Sequence, residues 1–210
     1  MKRVNFVSGF EMTEETAGAY RDLCDSFLTG NVSRKIFLLT GHSAGEGTSF
    51  AAIRIATTCA DMGKKVLLLD ADMRRSALRS RLNLYGASLL GLSDYLSEKS
   101  SIEESVYSTD IPGLYIMPSG SLPKSPTELL GNERFRELLD IIRRVFDLVF
   151  IDTPPLDGSS DASIVATRAD SAIIVAEAGR AHARDVRKVN QMMMRSRCPV
   201  EGVVLTKVKA

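Results

Sequence analysis

The sequence predicts a doubly wound α/β fold, a mainly parallel sheet with helices on both faces. Three observations carry this expectation. Short apolar runs alternate along the chain with stretches of helical periodicity. The runs are continuous rather than alternating, as in strands buried on both faces. The most unusual segments, Gly41 to Ser49, Asp70 to Arg75 and Asp152 to Pro155, each follow such a run directly, and sheets of this kind bind ligands at the carboxyl ends of their strands. Strands alternating with helices imply right-handed crossovers, so the three segments are expected to converge on one site.

At 210 residues, 44% hydrophobic and 25% charged, the chain has ordinary globular composition. It is read as an N-terminal helical segment, residues 1–30, packed on a main domain, residues 31–210. The net charge of +1 gives no general pull toward nucleic acid or an anionic membrane. The runs Ile36 to Leu39, Val66 to Leu69 and Val149 to Ile151 are far shorter than the ~20 residues that cross a bilayer. Met1 to Ser8 carries two basic residues with no apolar stretch of signal-peptide length, so a cytoplasmic location is expected. Cys24, Cys59 and Cys198 are widely spaced without a metal-ligand pattern, and reduced, structural thiols are expected.

In chain order, Thr13 and Glu14 precede a helical stretch near Ala17 to Leu28. Lys35 to Thr40 reads as a strand, Gly41, Gly45 and Gly47 as a glycine loop, and Phe50, Ile53, Cys59 and Met62 as the apolar face of a helix ending at Gly63. Val66 to Leu69 is the second strand. Residues 74–110, with Arg74, Arg75, Arg79 and Arg81, then Gly86 and Gly91, and a polar stretch from Ser97 to Ser105, read as surface loops with one or two short helices. Leu114 to Met117 is a third strand, closed by Pro118 to Ser121. Phe135, Leu138, Leu139, Ile142 and Phe146 share a helical face ahead of a strand at Val149 to Ile151. Helix then strand recurs twice more, Ala162 to Thr167 with Ala172 to Val175, and Val186 to Met193 with Val203 to Leu205.

The three strand-end segments carry the chemistry. Small residues after a buried strand let backbone N–H groups wrap an anion, and a following helix N-terminus adds favourable dipole. Gly41 to Ser49 has that layout. Leu67-Leu68-Leu69-Asp70-Ala71-Asp72-Met73-Arg74 ends a strand in two acids, and Val149-Phe150-Ile151-Asp152-Thr153-Pro154-Pro155 ends another in an acid and a rigid turn. Carboxylates so placed can hold Mg²⁺ and its waters or orient a hydroxyl toward a phosphoryl group. His42 and His182 are expected to be exposed bystanders.

In this order the motifs resemble the catalytic core of the cytoplasmic bacterial tyrosine kinases (BY-kinases) of polysaccharide export, within the wider P-loop ATPase class of MinD and ParA. Met117-Pro118-Ser119-Gly120, Ser125-Pro126-Thr127-Glu128-Leu129-Leu130 and Ser160-Asp161-Ala162 resemble flanking family segments, and the similarity runs over roughly residues 15–208. The resemblance implies ATP or ADP with Mg²⁺ as cofactors. It implies nucleotide binding by Gly45, Glu46, Gly47, Thr48, Ser49, Phe50 and Thr206, and Mg²⁺ held by Ser49, Asp72 and Asp152. The implied catalytic set is Asp70, Asp72, Asp152 and Arg74: Asp70 helping to activate the attacking hydroxyl, Arg74 stabilising phosphate charge or meeting a neighbouring subunit.

The chain departs from the family pattern in charge. Where the family has Gly-Lys-Ser, this chain has Gly47-Thr48-Ser49; the missing ammonium normally reaches the β and γ phosphates. Thr206 stands where related ATPases present an asparagine to adenine. In the N-terminal helix Gly18, Arg21 and Cys24 match the family's ring-forming Glu-x-x-Arg-x-x-Arg, so only Arg21 survives. No tyrosine follows Tyr115, so the family's autophosphorylated tyrosine-rich tail is not expected.

The expected function is therefore a catalytically impaired regulatory or scaffold subunit of an exopolysaccharide or capsule system. The family's usual partner would dock on it, a chain-length-determining inner-membrane protein acting through its cytoplasmic tail. The alternative is an active MgATP-dependent tyrosine kinase or ATPase using Arg74, Arg75 or another basic residue. A positioning ATPase of the MinD and ParA class is the third reading, which Asp-x-Asp-x-Arg and the Pro154-Pro155 turn disfavour. With only Arg21 left of the ring-forming charges, the isolated protein is expected to be a monomer or small oligomer. Light scattering at micromolar concentration checks this, and a stable closed ring would contradict it.

Overall fold

A computed structural model describes residues 3–4, 13–29, 33–78 and 89–208. Arg79, Arg81, Gly86 and most of Met1 to Ser8 lie outside the described residues. The elements are α1 (Glu14–Thr29), β1 (Ile36–Thr40), α2 (Thr48–Asp61), β2 (Val66–Asp70), α3 (Leu92–Leu96), α4 (Ile102–Ser105), β3 (Tyr107–Ser108), β4 (Leu114–Met117), α5 (Pro126–Gly131), α6 (Glu133–Val145), β5 (Leu148–Asp152), α7 (Asp161–Ala166), β6 (Ser171–Glu177), α8 (Ala183–Arg195) and β7 (Val200–Thr206).

The strands form one sheet in the order β3-β4-β2-β5-β1-β6-β7. All pairings are parallel except β3 with β4. Every residue of β1, β2 and β5 is buried, which explains their unbroken apolar runs: both sheet faces are covered. On one face, Phe37, Leu39, Leu68 and Phe150 pack with α1 and α2; the rings of Phe27 and Phe37 are 4.7 Å apart and those of Phe37 and Phe150 5.6 Å. On the other, Leu38, Leu67, Leu69 and Ile151 pack with α6, α7 and α8 through Phe135, Leu138, Val165, Val189 and Met193. Asn132 caps α6, its Oδ1 accepting the Phe135 N–H at 2.9 Å, as expected of a helix N-terminus.

The structure extends the sequence reading in three places. β3 is an antiparallel edge strand of two residues, too short for any periodicity to register. α5 was not anticipated, although Ser125 followed by Pro126 at its first turn is a helix-start signal. In the segment read as surface loops with one or two short helices, both helices form as α3 and α4, but Leu92, Tyr95 and Leu96 of α3 are buried in the core rather than on the surface. Asp94 holds them there: its buried carboxylate accepts the Gly91 and Ser121 N–H groups at 3.0 and 3.1 Å, tying α3 to the turn after β4.

Thr13 caps α1 by accepting the Thr16 N–H at 3.3 Å, and Tyr20, Cys24 and Phe27 face inward. Arg21 is exposed. Cys24 is buried with its Sγ 2.7 Å from that of Cys59, so this position belongs to the α1–α2 packing rather than to the surface. Among the described residues no helix is long and apolar enough to cross a membrane.

All three cysteines are free and buried. The hydrogen bond with Cys24, together with burial, pushes the Cys59 thiol far above its usual range, and burial pushes the Cys198 thiol up to about 12. Thiolate is the reactive form. A thiol-specific chromogenic reagent is expected to register almost no fast reaction in the native protein and three thiols after denaturation; rapid native labelling of any cysteine would contradict the packing.

Candidate functional site

The sheet order places β5 between β2 and β1, and its last residue, Asp152, stands in register with Asp70 on one side and Leu39 on the other. The three strand-end segments therefore meet along one rim. Backbone bonds lock them together. The Ala71 N–H donates to the Asp152 carbonyl at 2.8 Å, and Leu156 and Asp157 N–H groups donate to the Gly41 and His42 carbonyls at 3.1 and 2.9 Å. Thr153 adds its hydroxyl to the Leu39 carbonyl at 2.8 Å.

With its carbonyls held on one side, the loop after β1 turns its amides to the other. The His42 and Ser43 N–H groups donate to Glu46 Oε2 at 2.7 and 3.1 Å. Gly45 and Gly47 have φ of 88° and 92°, the left-handed region that glycine enters at little cost. Gly47 immediately precedes α2, so Thr48 and Ser49 open that helix; both side chains and Phe50 are half-buried. Thr206, at the end of β7, donates its hydroxyl to the Glu46 carbonyl and lies where a side chain at Gly47 would contact it. Lys207 Nζ donates to the Gly45 carbonyl at 3.0 Å and pairs with Glu177 at 2.9 Å. Arg180 pairs with the same carboxylate at 3.1 Å, and its guanidinium would be 3.5 Å from a Cβ on Gly45.

Asp70 is wholly buried, and burial pushes its carboxyl up to about 7, against the Ser76 hydroxyl that donates to it. The neighbouring Asp72 charge raises it further, while the Asp72 amide, 3.1 Å from Oδ1, lowers it. Asp72 is half-buried and accepts the Arg74 and Arg75 N–H groups at 3.1 and 2.9 Å. Asp152 is buried beside Asp70. Arg74 turns away from this trio. Its Nε donates to buried Asp161 at 2.7 Å and its Nη2 to the Thr127 hydroxyl at 2.7 Å. Asp161 and Thr127 were legible only as flanking segments of the resemblance. The Glu177, Arg180 and Lys207 group carried no motif signal. His42, expected as an exposed bystander, is half-buried, its ring 3.0 Å from the Ser43 hydroxyl and 3.7 Å from Asp185; His182 is exposed.

The arrangement fits Mg²⁺ in its donors. The hydroxyl of Ser49 and the carboxylates of Asp72 and Asp152 are hard oxygen ligands of the kind that hold this ion together with water and phosphate. The loop fits a phosphate in shape. In charge it differs from a lysine loop: Thr48 supplies no cation, the Glu46 carboxylate lies on the loop's own amides, and the cations beside it, Lys207 and Arg180, stand at Gly45.

Fold and site together define an α/β domain of the P-loop ATPase type. The AAA domain family matches residues 34–195. The septum site-determining protein MinD of Pyrococcus horikoshii, complexed with Mg-ADP, shares the fold with a TM-score of 0.70 at 21% identity, over 82% of this chain and 70% of that one. Tyrosine-protein kinase CpsD of Streptococcus agalactiae is 36% identical over 174 residues, 83% of this chain and 76% of that protein. The kinase domain of the Escherichia coli tyrosine kinase ETK is 28% identical with a TM-score of 0.83, over 92% of this chain and 78% of that one. The chain belongs to this family of bacterial tyrosine-protein kinases.

The raised Asp70 carboxyl makes a stability prediction with a definite sign. Between the unfolded value of about 3.9 and the folded value of about 7, the folded state keeps a proton that the unfolded state releases. Stability is thus lost as pH rises through that window. Asp70→Asn removes the penalty, so in chelator-containing buffer the variant is expected to gain on wild type from pH 4 upward. The gain should level off above pH 7 at roughly 4 kcal/mol. Urea denaturation across that range measures it, and a constant difference would contradict the assignment.

Proposed function

We propose that this chain is a BY-kinase-like cytoplasmic subunit of an exopolysaccharide or capsule synthesis and export system, acting as a regulatory or scaffold protein with impaired phosphoryl transfer. Membership of the tyrosine-protein kinase family supports the system. One observation carries the impairment: the loop that would hold the phosphates opens α2 with Thr48 where the family has lysine. Loss of one charge-assisted contact costs about 1.5 to 3 kcal/mol in binding, and a group acting on transition-state charge is worth on the order of a hundred- to thousandfold in rate. In this reading ATP or ADP with Mg²⁺ binds weakly, with Ser49, Asp72 and Asp152 as the metal's oxygen donors and Asp70 facing the acceptor hydroxyl. The partner is a chain-length-determining inner-membrane protein, whose cytoplasmic tail recruits the subunit to the inner face of the membrane, with or without self-association.

A second reading, an active MgATP-dependent kinase or ATPase, draws on Lys207 and Arg180. Both cations stand at Gly45 in the phosphate loop, and either could take the lysine's part. Arg74 supports it less, since Asp161 and Thr127 hold its guanidinium.

Isothermal titration separates the readings. Thr48→Lys is expected to raise MgATP affinity roughly ten- to a hundredfold, and wild type is expected to show little phosphotyrosine after incubation with MgATP. Low-micromolar wild-type binding with strong phosphotyrosine, abolished by Asp70→Asn, would overturn the impaired reading in favour of the active one.

A further inference from the structure

Glu46 is a buried residue with only 5% exposure, although no arginine or lysine pairs with it among the described residues. A buried carboxylate needs compensating donors, and the loop provides them. The His42 and Ser43 N–H groups converge on one oxygen at 2.7 and 3.1 Å. Two successive amides aimed at one anion form the concave nest that glycine loops offer to phosphate, and charge-assisted bonds of this kind are about twice as strong as neutral ones.

Three neighbouring features hold the residue in this place. The Leu156 and Asp157 N–H groups bind the Gly41 and His42 carbonyls, which fixes the direction of the two amides. The Thr206 hydroxyl binds the Glu46 carbonyl, so the residue is gripped at its backbone as well as its carboxylate. Gly41 lacks a Cβ where one would collide with Oε2; a close approach of backbone and carboxylate requires glycine there.

We propose that Glu46 is an internal phosphate mimic: its carboxylate closes the phosphate loop by occupying the loop's amides, and a phosphoanion must displace it to bind. This rests on the reading of the loop as a phosphate site, and deepens it by naming what competes for it. A ligand that needs a minor open state binds more weakly in proportion to that state's population. A loop closed about 90 to 99% of the time therefore lowers affinity about ten- to a hundredfold. Thr206, at the position where related ATPases present an asparagine to adenine, acts here as the brace of the closed loop.

The test uses inorganic pyrophosphate, titrated calorimetrically into the full chain, together with hydrogen exchange of the loop amides. Glu46→Ala is expected to bind pyrophosphate at least tenfold more tightly than wild type and to lose protection at the His42 and Ser43 amides. Glu46→Gln, which keeps the shape and an acceptor oxygen, guards against misfolding in the alanine variant and is expected to gain affinity in the same direction with smaller loss of protection. Asp157→Asn removes only an exposed side-chain charge beside the loop, its backbone N–H still holding the His42 carbonyl, and is expected to change affinity less than threefold. A gain in Asp157→Asn equal to that in Glu46→Ala would reduce the effect to net charge and overturn the proposal. So would unchanged pyrophosphate affinity, or unchanged amide protection, in Glu46→Ala. Thr48→Lys in the same assay keeps the two ideas apart. A gain there with none in Glu46→Ala sinks the mimic alone, whereas a gain in Glu46→Ala with none in Thr48→Lys sustains the mimic and sinks the lysine argument.

Discussion

Burial of β1, β2 and β5 on both faces is the constraint from which the rest follows. These strands are fully enclosed, so charged groups are tolerated only where the strands end. Asp70 and Asp152 are the last residues of β2 and β5, and Thr40 is the last of β1. Backbone groups released from the ladder at those points still need partners. They find them in one another: the segment after β5 binds the carbonyls of the loop after β1, and Glu46 binds that loop's amides. The site is thus the place where a hydrophobic sheet discharges its polar remainder.

Its electrostatics differ from those of a loop built around lysine. The positive groups nearby are already committed at the margin. Asp161 and Thr127 draw Arg74 away from the acids, and Lys207 and Arg180, both exposed, share Glu177, whose carboxyl they hold below its usual range, Lys207 foremost. Exposed pairs of this kind are worth little in isolation and are screened by salt, so both cations can exchange Glu177 for another anion at small cost. The centre of the site holds carboxylates: Asp70, Asp72 and Asp152 on the rim and Glu46 in the loop.

The inward face of α1 shows how a single position can change its role with its neighbours. Gly18, Arg21 and Cys24 are spaced three apart and read along the sequence as a surface motif. In the fold Arg21 is exposed while Cys24 meets Cys59 inside the α1–α2 contact. An arginine at position 24 would have to thread its stem out of that contact, because a buried guanidinium without an anion is costly.

The sequence alone determined the parallel sheet, the convergence of the three strand-end segments and the absence of a cation at Thr48, because each is written in local periodicity or in one residue's chemistry. Continuous apolar runs as short as Val66 to Leu69, following Gly63, read as doubly buried strands, and glycines and acids placed right after such strands fall on the carboxyl rim. The tertiary structure alone decided what those residues touch. Thr206 braces Glu46 from 160 positions away and Asp161 claims Arg74 from 87, while the two residues of β3 gain their strand only by pairing with β4. The burial of Leu92, Tyr95 and Leu96 likewise depends on the turn after β4 that Asp94 grips. Periodicity records which side of an element is apolar, but a hydrogen bond between distant polar groups leaves no period. The pairing of the loop's amides with its own carboxylate became visible only when the chain was folded.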